Sequence, residues 1–198
     1  RAAGLTPAVT LIEAGPDLSG FTPKALGHVR RGLAQNGVTV LTGAAVEAVT
    51  DTAVRLSEGR RVPAALSVGA AGAFAHGWLS SSPLPLTEDG FLRTRPTLQV
   101  EGHDDLFAVG DCAHLIETPR PKAGVYAVRQ APVLFDNLRK RLSGEGTPRP
   151  YRPQRDYLKL ISLGEKSALA DRFGLALSGP AMWRWKDHID QKFMDRFR

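Results

Sequence analysis

An α/β fold is predicted for this chain of 198 residues by three observations. Short apolar runs bounded by Gly and Pro recur along it, and Val9-Thr10-Leu11-Ile12-Glu13 is the first. An amphipathic helix pattern follows that run, and a second apolar run, Val38 to Leu41, follows the helix. Strands and helices therefore alternate, the order that builds a parallel sheet with helices packed on it. A composition of 42% hydrophobic and 23% charged residues is ordinary for a globular protein, and the length suffices for one core or two smaller lobes.

Each element has a local reason. Pro7 and Gly15-Pro16 flank the first strand, which ends on the acid Glu13. Thr22-Pro23 opens a helix running to about Asn36, with Leu26, Val29 and Leu33 on one face and Gly37 as its stop. Ala45 to Val49 and Ala53 to Leu56 read as paired strands around the turn residues Thr50-Asp51-Thr52. Ala64 to Val68 reads as another apolar strand, ending in Gly69-Ala70-Ala71-Gly72. This order of strand, helix, strand, small meander and strand fits a dinucleotide-binding α/β unit with a β-meander crossover.

Ser80 to Pro85 is a Ser- and Pro-rich connector and Phe91 to Thr94 a short strand. Leu106-Phe107-Ala108-Val109-Gly110-Asp111 reads as a buried parallel strand ending in a Gly and an acid. A long helix runs from Gly124 to about Leu142, with an apolar stripe of Val125, Val128, Phe135, Leu138 and Leu142 and a bend expected at Pro132. Gly146 to Pro153 reads as a linker. Tyr157 to Leu163, Ser167 to Arg172 and Phe173 to Leu177 read as short strands, and Gly179-Pro180 starts a final amphipathic helix. The domain boundaries expected are 1–76, 77–148 and 149–198.

Several function classes are disfavoured. No apolar run approaches the roughly 20 residues of a membrane span, and the N-terminal residues lack the pattern of a signal peptide. Cytoplasm is the default compartment on that basis. The single cysteine, Cys112, excludes a disulfide framework or redox Cys pair within this chain. His76, His103, His114 and His188 lack metal-ligand spacing. The net charge of +6 is uneven: residues 1–117 hold 9 Lys and Arg against 12 Asp and Glu, whereas residues 118–198 hold 17 against 8. A basic final third suits an anionic partner or is simply a solvated face. It carries no recognition motif, so no nucleic acid is expected.

The segment Asp104 to Asp111 carries the sharpest chemistry. A strand delivering Asp111 to the carboxyl edge of a sheet puts a carboxylate where open α/β folds bind ligands. It can accept hydrogen bonds from sugar or ribityl hydroxyls, while Gly110 admits a ligand chain close to the backbone. The alternative is a strand-end Asp that caps the next turn. About a dozen residues later, Pro121-Lys122-Ala123-Gly124-Val125 opens the long helix, whose free N–H groups and dipole favour an anion. Lys122 would add a full charge there or be an ordinary surface lysine. Ala123 and Gly124 are small enough for a ring system to approach the backbone.

These residues resemble the pyridine nucleotide-disulfide oxidoreductase superfamily, through its second FAD motif and the helix N-terminus under the flavin. The resemblance extends over nearly the whole chain and is specific only over 104–130. It implies a partial FAD/NAD(P)-binding fold of two dinucleotide-binding domains, with a small α+β C-terminal domain. It implies that Asp111 contacts the ribityl-pyrophosphate part of FAD, that the helix start at Ala123-Gly124-Val125 underlies the flavin, and that Glu13 binds the adenosine ribose of NADH and repels a 2′-phosphate. Gly69-Ala70-Ala71-Gly72 loosely resembles the turn returning to the FAD domain. The implied activity is hydride transfer from NAD(P)H through FAD to an acceptor, with no side chain needed as a nucleophile.

Within that superfamily the chain is similar to the type II NADH dehydrogenase-like branch. Lys122 to Gln130 and Trp185 to Met194 look like the FAD-dependent oxidoreductase fused to, or encoded with, selenide, water dikinase. Quinone, oxygen, a ferredoxin or a selenium compound are all open as acceptor. Both Gly-x-Gly-x-x-Gly loops of the family are missing, and Glu13 stands a dozen residues from Arg1 instead of about 20 beyond such a loop. Together with the lack of an initiator Met, this implies a C-terminal fragment that begins inside a βαβ helix and is inactive alone. The competing reading is a non-catalytic module that docks to a kinase-like partner.

Cys112 reads as a small buried residue in preference to a redox thiol, and His114 as a proton relay or a plain loop histidine. Tyr126 and Gln130, one helical turn apart, line the acceptor side of the flavin, pack in the core or face solvent. The final helix spaces Met182, Trp185, Ile189, Phe193 and Phe197 by three or four among Arg184, Lys186, Lys192, Arg196 and Arg198. Such a helix lies on an anionic membrane surface, peripheral to its inner face, or packs on its own or a fused domain.

Overall fold

Alternation and caps produce the first elements much as read. In the computed structural model, which describes residues 7–198, Val9–Ile12 is strand β1 and Pro23–Gln35 is helix α1. Thr22 caps α1 by accepting the Ala25 N–H through its hydroxyl, and Gly37 (φ +70°) releases the chain into strand β2, Val38–Leu41. β2 lies parallel to β1, in the register Val9 with Val38. The expected start inside a helix falls on residues 1–6, outside the described residues.

Val46–Val49 (β3), Ala53–Leu56 (β4) and Arg61–Pro63 (β5) form an antiparallel meander. The strand expected at 64–68 is therefore displaced. Pairing of Ala53 with Pro63 and a final bond from Ala64 N to Thr52 O set the register, and the ladder stops there. Leu66 and Val68 lie beyond it, 83% and 81% exposed, with no strand beside them among the described residues. Lys159–Gly164 (β6), Ser167–Arg172 (β7) and Leu175–Gly179 (β8) make a second antiparallel sheet, followed by helix α2 at Pro180–Met194. Leu169 and Ala176 of this sheet share one core with Ala25 and Val29 of α1. Of the described residues, 7–69 together with Asp156–Arg198 thus form one compact unit, and Ala70–Arg155 forms the other.

In the second unit, Leu92–Thr94 (β9) runs parallel to Ala113–Leu115 (β10), and Gly124–Ser143 is the long helix α3. The strand expected at 106–111 is corrected in two ways. Leu106 to Val109 forms no continuous strand, and its neighbours are antiparallel. Val100 N donates to Leu106 O and Ala108 N to Leu98 O, with a bridge between Gln99 and Phe107. A four-residue apolar run has no period that separates a parallel from an antiparallel partner. Leu106 is also exposed.

α3 differs from its expected orientation. Its apolar stripe of Val128, Phe135, Leu138 and Leu142 is exposed, with Leu142 at 86%, while Tyr126, Gln130, Val133 and Asn137 are buried. Hydrogen bonding decides this, because Gln130 and Asn137 each satisfy backbone groups of the segments packed beside the helix. Pro132 sits inside a continuous helix. The stretch read as a linker is pinned: Tyr151 is buried and its N–H donates to Pro96 O.

Four carboxylates are held below the ordinary carboxylate range: Asp17 by its hydrogen bond from Arg30, Glu101 by Arg93, Asp105 by Arg141, and Asp156 by the N–H groups of Phe173 and Tyr157. A carboxylate depressed in the folded state adds stability that is present above its unfolded pKa of about 4 and is lost as pH falls through its folded value. The urea midpoint is therefore expected to be flat from about pH 7 to 5 and to fall below about pH 4. Asp156→Asn should shallow that acid limb, and a wild-type midpoint unchanged at pH 3 would contradict the assignment.

Candidate functional site

Gly110, Asp111, Lys122 and Ala123, four of the predicted site residues, meet at one small cleft. Val109 is extended (φ −142°), Gly110 turns at φ +69°, and Gly110–Cys112 makes a single 3₁₀ turn before β10. This turn lies against the first turns of α3. Gly110 and Asp111 line the cleft from one side, and Arg120, Lys122, Ala123, Tyr126, Ala127 and Gln130 from the other. Gly124 and Val125, both expected here, are not among the lining residues. Helix geometry explains the substitution, since Ala123, Ala127 and Gln130 repeat at four and three residues and share a face that 124 and 125 leave.

The electrostatics favour a polar or anionic occupant. Ala123 holds the cap position of α3 and has no side-chain oxygen, so the N–H groups of Gly124 and Val125 find no acceptor among the described residues. Those free donors stand at the positive end of a 20-residue helix. Asp111 is exposed and accepts no hydrogen bond from a described residue, which leaves both oxygens available to hydroxyl donors. The Tyr151 hydroxyl is buried without a hydrogen-bond partner among the described residues. Burial pushes its pKa up, against the opposing charges of Arg129 and Arg120.

Lys122 turns out to be a brace. Its ammonium donates to Ala113 O and sits 3.9 Å from the centre of the Phe91 ring, tying the approach to α3 onto β10. Burial pulls its pKa below the ordinary lysine range, partly offset by Asp111 and Cys112. Cys112 is half-buried and packs against the core around Leu79 and Val100, its thiol 3.3 Å from Val109 O, as suits a small packing residue. His114 lies on β10, where its carbonyl accepts from Thr94 Oγ1. Tyr126 and Gln130 are both buried, and Gln130 Oε1 accepts the Gly110 N–H at 2.7 Å. No local sequence signal marks that bond, because its partners are 20 residues apart.

The remaining predicted residues lie elsewhere. Glu13 belongs to the first unit, directly after β1, where its Oε1 accepts the Gly15 N–H at 2.9 Å. It stands at the carboxyl end of a parallel strand, as the sequence suggested. Gly72 takes φ +90° in a segment without regular structure and does not line the cleft. Among the described residues no group of His, Cys, Asp and Glu is arranged to hold a metal ion.

Comparison with known proteins bears on these observations. The profile of the pyridine nucleotide-disulphide oxidoreductase family matches residues 1–131. The chain is 28% identical over 181 residues to demethylphylloquinone reductase NdbB of Synechocystis, spanning 87% of this chain and 44% of that protein. It is 26% identical over 195 residues to type II NADH:quinone oxidoreductase of Staphylococcus aureus, spanning 93% and 47%. The structure of NDH2 from Plasmodium falciparum in complex with NADH superposes with a TM-score of 0.72 at 14% identity, over 89% of this chain and 53% of that one, a likeness of fold. The chain thus spans about half the length of the curated relatives it matches.

Proposed function

The chain belongs to the pyridine nucleotide-disulphide oxidoreductase family, and we propose that it supplies one edge of an FAD site in an NAD(P)H oxidoreductase. The observation that carries this reading is the Gly110–Asp111 turn set against the uncapped start of α3. The donor set fits one edge of FAD: a carboxylate for hydroxyl groups and free helix N–H groups for an electron-rich ring edge. FAD and NAD(P)H are the cofactors typical of the family, and FAD when bound takes hydride from the nicotinamide and passes the electrons on.

The chain's own residues bind and orient. Asp111 accepts from ribityl-type hydroxyls, the α3 N-terminus stabilises negative charge, and Lys122 and Gln130 keep the two walls in place. Glu13 is the residue for the adenosine ribose of the nicotinamide cofactor, and its charge opposes a 2′-phosphate. The names of the relatives point to a quinone as acceptor. A second reading, a selenium compound with a selenide, water dikinase partner, is supported by the segments Lys122 to Gln130 and Trp185 to Met194.

No helix among the described residues is long and apolar enough to cross a membrane. Attachment to a membrane surface is supported by Trp185, Ile189 and Phe197, exposed on or beside α2 among basic residues. Anionic vesicles that sediment the protein equally well without residues 180–198 would exclude attachment through this helix.

The FAD reading is tested on the intact protein. The wild type is expected to purify yellow and to bleach with NADH under anaerobic conditions, while Asp111→Ala should lower FAD affinity about tenfold or more. This chain alone, which has no Gly-x-Gly-x-x-Gly loop, is expected to lose FAD on gel filtration. An intact protein that takes up no flavin refutes the reading.

A further inference from the structure

We propose that Gln130 is the positioning residue of the Gly110–Asp111 turn, aiming the Asp111 carboxylate by holding the N–H that precedes it. This rests on the FAD reading above for its consequence, but not for its geometry. Gln130 is only 4% exposed, and its Oε1 accepts from Gly110 N at 2.7 Å. Gly110 stands at φ +69°, outside any strand, so its N–H has no backbone acceptor among the described residues. The turn also runs close to the helix beside Ala127, since a Cβ built on Gly110 would lie 3.4 Å from Ala127 Cβ. Ala127 and Gln130 are three residues apart on one face of α3, so the turn packs close to the face from which Gln130 holds it by a hydrogen bond.

Asp111 makes the second half of the inference. Its side chain accepts no hydrogen bond from a described residue, so its direction follows the backbone that carries it. A carboxylate without its own anchor is only as well placed as its turn. Losing the Gln130 acceptor leaves a partly buried N–H unsatisfied and frees the turn to rotate away from α3. The carboxylate would then sample several directions, and a ligand would have to order it on binding.

The test compares Gln130→Met, which keeps the shape without the acceptor, with Gln130→Glu, which keeps an acceptor of equal reach. Gln130→Asn, one methylene short, replaces the Met variant if that one does not fold. Amide hydrogen exchange at Gly110 in this chain, read by NMR, reports the bond directly. The FAD dissociation constant of the intact protein reports its consequence. In Gln130→Met, Gly110 exchange is expected to accelerate about tenfold or more while amides of the Val133 core stay protected. FAD affinity is expected to fall about tenfold, and Gln130→Glu should restore both. Unchanged Gly110 exchange in Gln130→Met overturns the proposal, as does faster exchange with unaltered FAD affinity. A wild type that takes up no FAD removes the cofactor reading alone, and the exchange data then decide whether Gln130 holds the turn.

Discussion

Replacing Asn137 by leucine is expected to lower the unfolding free energy by about 3 kcal/mol, although it adds apolar surface to a helix. Asn137 is fully buried on α3. Its Nδ2 donates to Thr97 O and to Arg149 O, both at 2.9 Å, and its Oδ1 accepts the Arg149 N–H at 2.8 Å. One side chain therefore holds two separate segments to the helix. Leucine fills the space but satisfies none of the three backbone groups, and an unmade bond at a buried site costs more than a made one contributes. The control lies on the opposite face of the same helix. Phe135 is 66% exposed, and Phe135→Ser should stay within about 0.5 kcal/mol of the wild type. Urea denaturation of the two variants measures the difference. If Phe135→Ser proved the more damaging, the helix would be facing the other way.

The second large effect is expected at Gly110. A valine there must adopt φ near +69°, a region that β-branched residues strongly avoid. Its Cβ would stand in van der Waals contact with Ala127 Cβ, at 3.4 Å, so the backbone strain carries most of the cost. Relief of that strain by rotating the turn would draw the residue-110 N–H away from Gln130. Together these should cost about 2–3 kcal/mol and remove most FAD retention from the intact protein. Gly124 is the comparison. It lies in the first turn of α3 with open space around a built Cβ, so Gly124→Ala should be neutral or stabilising by up to about 1 kcal/mol. Thermal unfolding of the two variants separates the glycine that the turn requires from the one that sequence spacing alone singled out. Equal melting temperatures for both would show that the Gly110 turn carries no special constraint.

The exposed stripe of α3 shows where sequence reasoning reaches its limit. Val128, Phe135 and Leu142 recur every seven residues and look like a core seam, yet the covered face carries Gln130 and Asn137. Periodicity reports that a helix has an apolar side; it does not report what stands next to that side. The same limit applies at 64–68 and 106–109, where apolar runs of the right length are not the strands expected, because a ladder needs a partner in register. By contrast, α1 matched its reading to within a residue, since Thr22, Pro23 and Gly37 act through their own backbone neighbours.

The sequence by itself determined the α/β class, the first strand–helix–strand unit, the short strands of the C-terminal segment and the start of α3 at Gly124. All of these follow from local terms: caps, turn glycines and hydrophobic period. The tertiary structure alone decided which face of α3 is buried, that Lys122 braces β10, and that Gln130 holds the Gly110 turn. Each of those depends on a partner 9 to 40 residues away. Buried polar groups must find a hydrogen-bond partner wherever the fold places one, and no local pattern of residues specifies that place.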